Sequence, residues 1–282
     1  MKVGVNIHSG LGNQMFMIFA TLSYYIDNCD NCDNYVIYYD ATKFKTDNFY
    51  WDSMFNKIKE KINNQCTITD TYKEPEFKYN KIPEFNKDIV LEGFFQSDKY
   101  FKHNINKIKS ILDIDNKIIS AKQEFPEYFN RKTIAIHFRI GNYYGLQNMH
   151  PIKPVVYYLN ALKELSNNDI MLQDYNILIF CQEIDNNIVS EYINIIKMHY
   201  PNMNFKKIAD NIPDWKQMLI MMSADHYIIG NSTFSWMGAY FGKKEAIVIA
   251  PVVWFGPYYK NNNIGDLRPK NWKLVDEKQL VK

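Results

Sequence analysis

Apolar and polar positions along this 282-residue chain fall into segments of two kinds. Short β-branched runs predict buried strands, and longer segments that are apolar at helical spacing predict helices. In the first half, strands are predicted at 3–8, 35–39 and 88–92, and helices at 15–25, near 52–62 and from 96 to about 119. In the second half, strands are predicted at 133–138, 176–181, 227–229 and 246–249, and helices at 155–165, 186–198, 214–222 and 235–241.

Strands that alternate with helices predict an α/β fold built on parallel, doubly wound sheets. A change in composition at 123–132, around Pro126, predicts a boundary between residues 1–125 and residues 126–282. Ligands of such sheets bind at the carboxyl ends of the strands. The sequence therefore predicts two Rossmann-like domains facing a cleft.

Charge and composition exclude several classes of partner. Lys and Arg number 33 against 31 Asp and Glu, so net charge gives no reason to expect nucleic acid or an anionic membrane surface. No apolar stretch is long enough to span a bilayer, and the first residues lack the pattern of a signal peptide. We therefore expect a cytoplasmic protein without stable membrane insertion.

The cysteines do not form a metal-site pattern. Cys29 and Cys32 make one CxxC pair, while Cys66 and Cys181 stand apart. A zinc site needs two further ligands at suitable spacing. We interpret the pair as reduced thiols in a polar loop.

An arginine follows the first predicted strand of the second half. His137 and Arg139 stand at the carboxyl end of that strand, just before Gly141. A guanidinium pairs bidentately with phosphate oxygens, so Arg139 suits a diphosphate, with His137 beside it. Taken alone, the two residues favour the plainer interpretation, in which Arg139 forms a surface ion pair and His137 is a buried, hydrogen-bonded histidine.

A second candidate segment, residues 230–239, follows the strand at 227–229. Small polar residues stand at a helix start, where hydroxyls and backbone N–H groups bind anions. Its candidate phosphate-binding residues are Asn231, Ser232, Thr233, Phe234 and Ser235. An ordinary helix cap produces the same pattern.

The turn before the first helix is a third candidate. Glycines let a backbone approach a ligand closely, and this turn contains Gly10, Gly12, Asn13 and Gln14. Asn13 is predicted to point into the cleft. The turn lacks the third glycine of a dinucleotide fingerprint and the lysine of a P-loop, so it is weak alone.

Two acidic pairs have competing interpretations. Asp113 and Asp115 match the Asp-x-Asp of metal-dependent sugar transferases, but they interrupt a lysine-rich helical stretch, so we expect solvated carboxylates. Glu183 and Asp185 follow the strand at 176–181 and are candidates to bind a nucleoside or an acceptor hydroxyl. Alternatively they begin a helix, with Asp185 as its cap.

Four motifs are specific in combination. Residues 10–16 read GLGNQMF, 93–101 read GFFQSDKYF, 137–143 read HFRIGNY and 231–239 read NSTFSWMGA. In this order and spacing they resemble the α-1,2-fucosyltransferase family, glycosyltransferase family 11. The resemblance spans nearly the whole chain, as far as residues 249–255.

The resemblance implies a GT-B-like architecture, GDP-β-L-fucose as donor, no metal or other cofactor, and inversion to an α-fucoside on a glycan acceptor. The expected acceptor group is the 2-hydroxyl of galactose. The family's motifs place Arg139 on the donor phosphate and Asn13 near the transferred sugar. Residues 232–234 contact the same diphosphate in such enzymes.

The chain departs from the family pattern His-x-Arg-Arg-Gly-Asp-Tyr at two positions. Ile140 replaces the second arginine and Asn142 replaces the aspartate. A cation and an anion are lost together, which suggests that the two partnered each other. Since Asn142 cannot act as a base, the base is expected to be Glu183, Asp185 or His8. A further departure is Met237, where the family usually has a second tryptophan.

Two alternative functions remain open at this stage. The donor could carry another 6-deoxyhexose such as rhamnose, because phosphate motifs say little about one ring hydroxyl. The departures at 140 and 142 also fit a nucleotide-sugar-binding protein that has lost catalysis. The acceptor is expected on the first half, around 93–100 and the aromatic segment 44–55.

Overall fold

The structure is a computed structural model that describes residues 2–28, 37–38, 49–63 and 68–278. The chain forms two compact units. Unit 1 comprises Met1–Asn116 and Asn262–Lys270, and unit 2 comprises Lys117–Asn261 and Asn271–Lys282. The first boundary between the units, after Asn116, lies within the helix Ile114–Glu124. The boundary predicted from the sequence, between residues 125 and 126, lies just after the end of that helix.

Unit 1 is built on a five-stranded sheet in the order β3-β2-β1-β5-β4. Every pairing recorded in it is parallel. Its elements are β1 (Val3–Val5), α1 (Leu11–Asn28), β2 (Ile37–Tyr38), β3 (Ile62–Asn63), β4 (Thr71–Lys73), β5 (Ile89–Glu92), α2 (Ile105–Leu112) and the start of α3 (Ile114–Glu124).

The core of unit 1 surrounds α1, which is apolar on all sides as its sequence predicted. Phe16 and Phe19 are fully buried, and their rings lie 6.0 Å and 5.4 Å from that of Phe101. Trp51 and Phe55 are also buried. These two aromatic residues of the expected acceptor surface therefore belong to the core, while 44–48 lie outside the described residues.

Two predicted helices of unit 1 differ from what is observed. The segment near 52–62 is a turn followed by a 3-10 helix, Asn56–Lys61, and then by β3. The stretch from 96 to 119 is broken at Asp113, whose left-handed backbone (φ 57°) ends α2 before α3 begins. Polar and aromatic residues there gave no clear periodicity, so the breaks were not visible in the pattern.

Unit 2 is built on a six-stranded sheet in the order β11-β10-β9-β6-β7-β8, again with every recorded pairing parallel. Helix α6 has the predicted bounds, and β6 lies one residue earlier than predicted. The elements are β6 (Lys132–His137), α4 (Val155–Ser166), β7 (Tyr175–Phe180), α5 (Asn186–His199), β8 (Asn204–Lys207), α6 (Asp214–Met222), β9 (His226–Ile228), α7 (Thr233–Tyr240), β10 (Val248–Pro251) and β11 (Lys273–Val275).

Each sheet reverses its strand order at one point. In unit 2 the order runs outward from β6 through β7 to β8 and then resumes at β9 on the other side of β6. In unit 1 the reversal lies between β1 and β5. Such switch points open a crevice at the carboxyl ends of the strands. Two parallel sheets with helices between their strands confirm the predicted α/β fold class. None of the helices in the described ranges is long and apolar enough to cross a membrane.

Candidate functional site

The candidate residues of unit 2 gather at the switch point of its sheet. Arg139 follows β6, Gln182 follows β7 and Asn231 follows β9, and these strands are parallel neighbours. The turn after β9 lies directly against the arginine. A Cβ at Gly230 would lie 3.3 Å from the His137 carbonyl oxygen and 3.8 Å from the Arg139 Cβ.

The Arg139 guanidinium is held on three sides. Its Nη1 donates to Gln182 Oε1 at 2.6 Å, and its Nη2 donates to Asn142 Oδ1 at 2.9 Å. Its Cζ lies 5.2 Å from the centre of the Tyr143 ring, a cation–π distance. No carboxylate of the described residues forms an ion pair with it. The alternative of a surface ion pair therefore does not describe this arginine.

Tyr143 is itself fixed by two contacts. Its hydroxyl donates to the Asn231 carbonyl oxygen at 3.2 Å, and its ring stacks on His150 with centroids 5.0 Å apart. Burial lowers the pKa of His150, and the charge of Arg139 lowers it further. The stack is therefore uncharged at neutral pH, and it gives Arg139 a preformed aromatic support.

Gly141 forms the turn beside Arg139. It has a positive φ of 24°, and its N–H donates to both oxygens of Asp185, at 2.8 and 3.0 Å. Asp185 is 2% exposed and makes no side-chain cap on α5. Its carboxylate thus holds the turn and is not a helix cap. Glu183, two residues earlier, is exposed.

Ile140 and Asn142 occupy different environments. Ile140 is buried in the core cluster of unit 2, while the exposed Asn142 bonds Arg139. Side chains at these two positions do not pair with each other in this chain. The departure from the family pattern therefore leaves Arg139 held by an amide.

His137 is buried, and its Nδ1 has no hydrogen-bond partner among the described residues. Its ring lies 5.4 Å from that of Phe234. Burial, reinforced by the charge of Arg139, lowers the pKa of His137 to about 3. The imidazole is therefore neutral, and it is not the fully hydrogen-bonded core histidine that the sequence left open.

This neutrality predicts a pH effect on stability. Because the folded pKa lies below the unfolded value of about 6.5, stability from this group is complete above pH 6.5 and falls as the solution becomes more acidic. Between pH 6.5 and 5 the loss is roughly 2 kcal/mol. Urea unfolding at several pH values should show a shallower acid loss in His137→Phe than in the unmodified protein. Equal slopes would contradict a neutral buried imidazole.

In the segment after β9, some polar side chains are buried and hold the loop in place, while others are only partly buried. Asn231 is buried, and its Nδ2 donates to the carbonyl oxygens of Pro151 and Trp254 at 3.1 and 3.0 Å. Ser232 caps α7 by accepting from the Phe234 N–H, and the buried Ser235 hydroxyl donates to the Ser232 carbonyl oxygen. Thr233 and Phe234 are only partly buried at the helix start.

The glycine turn lies at the switch point of unit 1. Ser9 has a left-handed backbone (φ 65°), and the buried Gln14 donates through Nε2 to the Ser9 carbonyl oxygen at 2.8 Å. Gly10 is exposed and Gly12 is buried. Asn13 Oδ1 accepts from Gln96 Nε2 at 2.8 Å. Gln14 thus braces the turn, and Gln96 fixes the orientation of the Asn13 amide.

Glu74 holds the segment that carries Gln96. Its Oε2 accepts from the N–H groups of Phe94 and Phe95, both at 2.9 Å, and its Oε1 accepts from the Tyr100 hydroxyl at 3.2 Å. Phe95 has a left-handed backbone (φ 52°). Burial raises the pKa of this carboxyl. The contacts anchor a strained turn after β5.

Removing this anchor is expected to destabilise unit 1. Glu74→Ala leaves the buried Phe95 N–H without its acceptor, which costs about 1–3 kcal/mol. Glu76→Ala is the control, since Glu76 is exposed and forms only a surface pair with Lys78. Denaturant unfolding should show a clear loss for Glu74→Ala alone. Equal losses in both variants would show that the anchor has no special role.

The remaining acidic and sulfur groups lie apart from these clusters. Asp113 pairs with Lys57 at 3.3 Å and Asp115 pairs with Lys109 at 2.6 Å, so both are lysine-paired and neither ends a strand. Burial raises the pKa of the Cys181 thiol to about 11, while Cys29, Cys32 and Cys66 lie outside the described residues. Within the described ranges, no three His, Cys, Asp or Glu side chains are grouped to hold a metal.

The comparison with known protein families covers nearly the whole chain. The sequence model described as Glycosyl transferase family 11 matches residues 3–275. An α-1,2-colitosyltransferase of Escherichia coli is 26% identical over 196 residues, which cover 67% of this chain and 63% of that protein. The chain therefore spans less than two thirds of this relative's length. The O-antigen biosynthesis glycosyltransferase WbnK of Escherichia coli is 22% identical over 317 residues, and the match covers 94% of this chain and 98% of that protein.

Two solved structures are similar at low identity. The ADP-heptose LPS heptosyltransferase II of E. coli has a TM-score of 0.49 and 8% identity, over 98% of this chain and 90% of that one. The α-1,6-fucosyltransferase NodZ, soaked with GDP-fucose, has a TM-score of 0.44 and 10% identity, over 84% of this chain and 92% of that one. The family match from residue 3 to residue 275 establishes the identity: the chain belongs to glycosyltransferase family 11.

Proposed function

We propose that this protein is an inverting glycosyltransferase that moves L-fucose from GDP-β-L-fucose to the 2-hydroxyl of galactose in a glycan acceptor. The observation that carries the proposal is Arg139. It stands at the switch point of the unit 2 sheet, is only partly buried, and has no carboxylate partner among the described residues. An arginine placed in this way is suited to a diphosphate.

The reaction is a single displacement at the anomeric carbon. An acceptor hydroxyl oxygen forms a bond to that carbon on the face opposite GDP, while the bond to the β-phosphate oxygen breaks. The bonding pair and a negative charge leave with GDP, and the acceptor proton passes to a base. We propose that Arg139, the Thr233 hydroxyl and the first N–H groups of α7 stabilise the charge on the diphosphate.

Of the three candidate bases, we propose His8 or Glu183, because the third, Asp185, is occupied in holding the Gly141 turn. Both oxygens of the Asp185 carboxylate already share the Gly141 N–H as a donor. Burial lowers the pKa of His8, so a neutral imidazole stands at the carboxyl end of β1 and can accept a proton. Glu183 is the other candidate. Asn13 remains proposed to contact the transferred sugar, and the mechanism is proposed to need no metal.

A second donor is favoured by one specific observation. A relative is named as an α-1,2-colitosyltransferase, and colitose differs from L-fucose only in lacking the 3-hydroxyl. Rhamnose, another 6-deoxyhexose, stays an alternative on the sequence motifs alone. We propose fucose as the first donor to test and colitose as the second.

The test is a transfer assay with a panel of nucleotide sugars and galactose-terminated acceptors, read by mass spectrometry in the presence of a chelator. Transfer of a 6-deoxyhexose from GDP-fucose supports the proposal. Transfer from a different nucleotide sugar would replace the donor and keep the enzyme class. No transfer, together with GDP binding by calorimetry, would favour the protein that has lost catalysis.

A further inference from the structure

Arg139 is held by uncharged acceptors. Both side-chain oxygens that accept from its guanidinium, Gln182 Oε1 and Asn142 Oδ1, belong to amides. Lysines elsewhere in the described ranges are commonly held by carboxylates, as Lys243 is by Asp225 and Lys273 is by Glu164. An amide oxygen fixes the geometry of a guanidinium without neutralising its charge.

The other side chains around Arg139 also leave its charge unpaired. His137 and His150 both have lowered pKa values, so neither adds a charge at neutral pH. The buried Asp185 carboxylate lies against the Gly141 turn, where it accepts from the Gly141 N–H and forms no ion pair with Arg139. The Tyr143 ring lies beside the guanidinium and carries no formal charge.

The fold makes room for one of the two amides. A Cβ at Gly141 would lie 2.2 Å from Gln182 Oε1, so the Gln182 side chain can pass to Arg139 only over a glycine. Gln182 follows β7 and Asn142 follows the Gly141 turn, so two separate segments converge on one cation. Both amide side chains are exposed, and what distinguishes them is that both direct an oxygen at the same guanidinium.

We infer that Gln182 and Asn142 are positioning residues that hold Arg139 in place while leaving its charge uncompensated for a diphosphate. The inference rests on the proposed function. The family's usual aspartate at position 142 comes together with a second arginine at position 140, which is Ile140 in this chain. Without that second cation, a carboxylate at either position would ion-pair with Arg139, and the incoming diphosphate would have to displace that pair or bind beside a like charge. Neutral acceptors avoid this competition.

The test uses Gln182→Glu and Asn142→Asp, which keep the shape and acceptor oxygens and add a negative charge. Both should weaken GDP binding about tenfold or more and raise the donor KM more than they lower kcat. The affinity for guanosine, a ligand that lacks the diphosphate, should change little. Gln173→Glu is the matched control, because Gln173 is exposed just before the amino-terminal end of β7 and the variant has the same net charge.

Each outcome has one meaning. If Arg139→Met weakens GDP binding but both carboxylate variants bind GDP as the unmodified protein does, the inference is overturned and the proposed function stands. If the unmodified protein does not bind GDP, both the inference and the proposed function are contradicted. Thermal unfolding identifies a variant that does not fold, and the exposed position of Asn142 makes Asn142→Asp informative in that case.

Discussion

Replacing Arg139 by methionine is expected to lower the rate of sugar transfer by about 100-fold or more. The side chain keeps much of its length and apolar stem but loses the charge that the departing diphosphate needs. Because the guanidinium is already oriented by Gln182 and Asn142, its contribution requires little reorganisation during the reaction. Initial rates at saturating acceptor measure the effect.

Arg131→Met provides the control for this experiment. Arg131 precedes the same strand at its other end, is exposed, and donates to the Gln173 carbonyl oxygen. Its loss should leave the rate within about twofold, since surface contacts contribute little. Near-normal turnover in Arg139→Met would remove Arg139 from the mechanism.

Gly141→Ala is expected to reduce activity about tenfold or more. The new Cβ meets Gln182 Oε1 at 2.2 Å, and because that oxygen ends a flexible side chain, Gln182 moves away and releases Arg139. The positive φ of Gly141 adds a strain of about 1–2 kcal/mol for alanine. Donor KM and thermal unfolding measure the two consequences separately.

Gly145→Ala is the matched control in the same loop. A Cβ at Gly145 meets no atom within 4 Å, and its backbone does not lie in the left-handed region. Its activity and stability should stay close to those of the unmodified protein. Equal losses at both positions would mean that the loop tolerates no added methyl group, and the contact with Gln182 would then explain nothing.

The sheet of unit 2 was largely predictable, because its central strands are buried. The β-branched runs of β6 and β7 gave unambiguous patterns, and α6 was predicted residue for residue. β8 was missed, since three of the four residues in Asn204–Lys207 are polar and all four are only partly buried. Its position depends on pairing with β7, which no local pattern expresses.

The site was predictable in its types of residue but not in its contacts. Arg139 and its strand end followed from local sequence, whereas Gln182 lies 43 positions away and reaches it only because β6 and β7 pair. Asp185 was a candidate ligand or cap, and it instead accepts from Gly141, 44 positions away. Gln96 belonged to a quoted motif but had no assigned role until its bond to Asn13 was seen.

The most direct test of the central claim compares GDP with guanosine as ligands of the unmodified protein and of Arg139→Met. The difference between the two ligands isolates the diphosphate. Calorimetry should show that GDP binds the unmodified protein much more tightly than guanosine does, and that Arg139→Met loses about 10- to 100-fold for GDP with little change for guanosine. Equal GDP affinity in the two proteins would contradict a diphosphate site at Arg139.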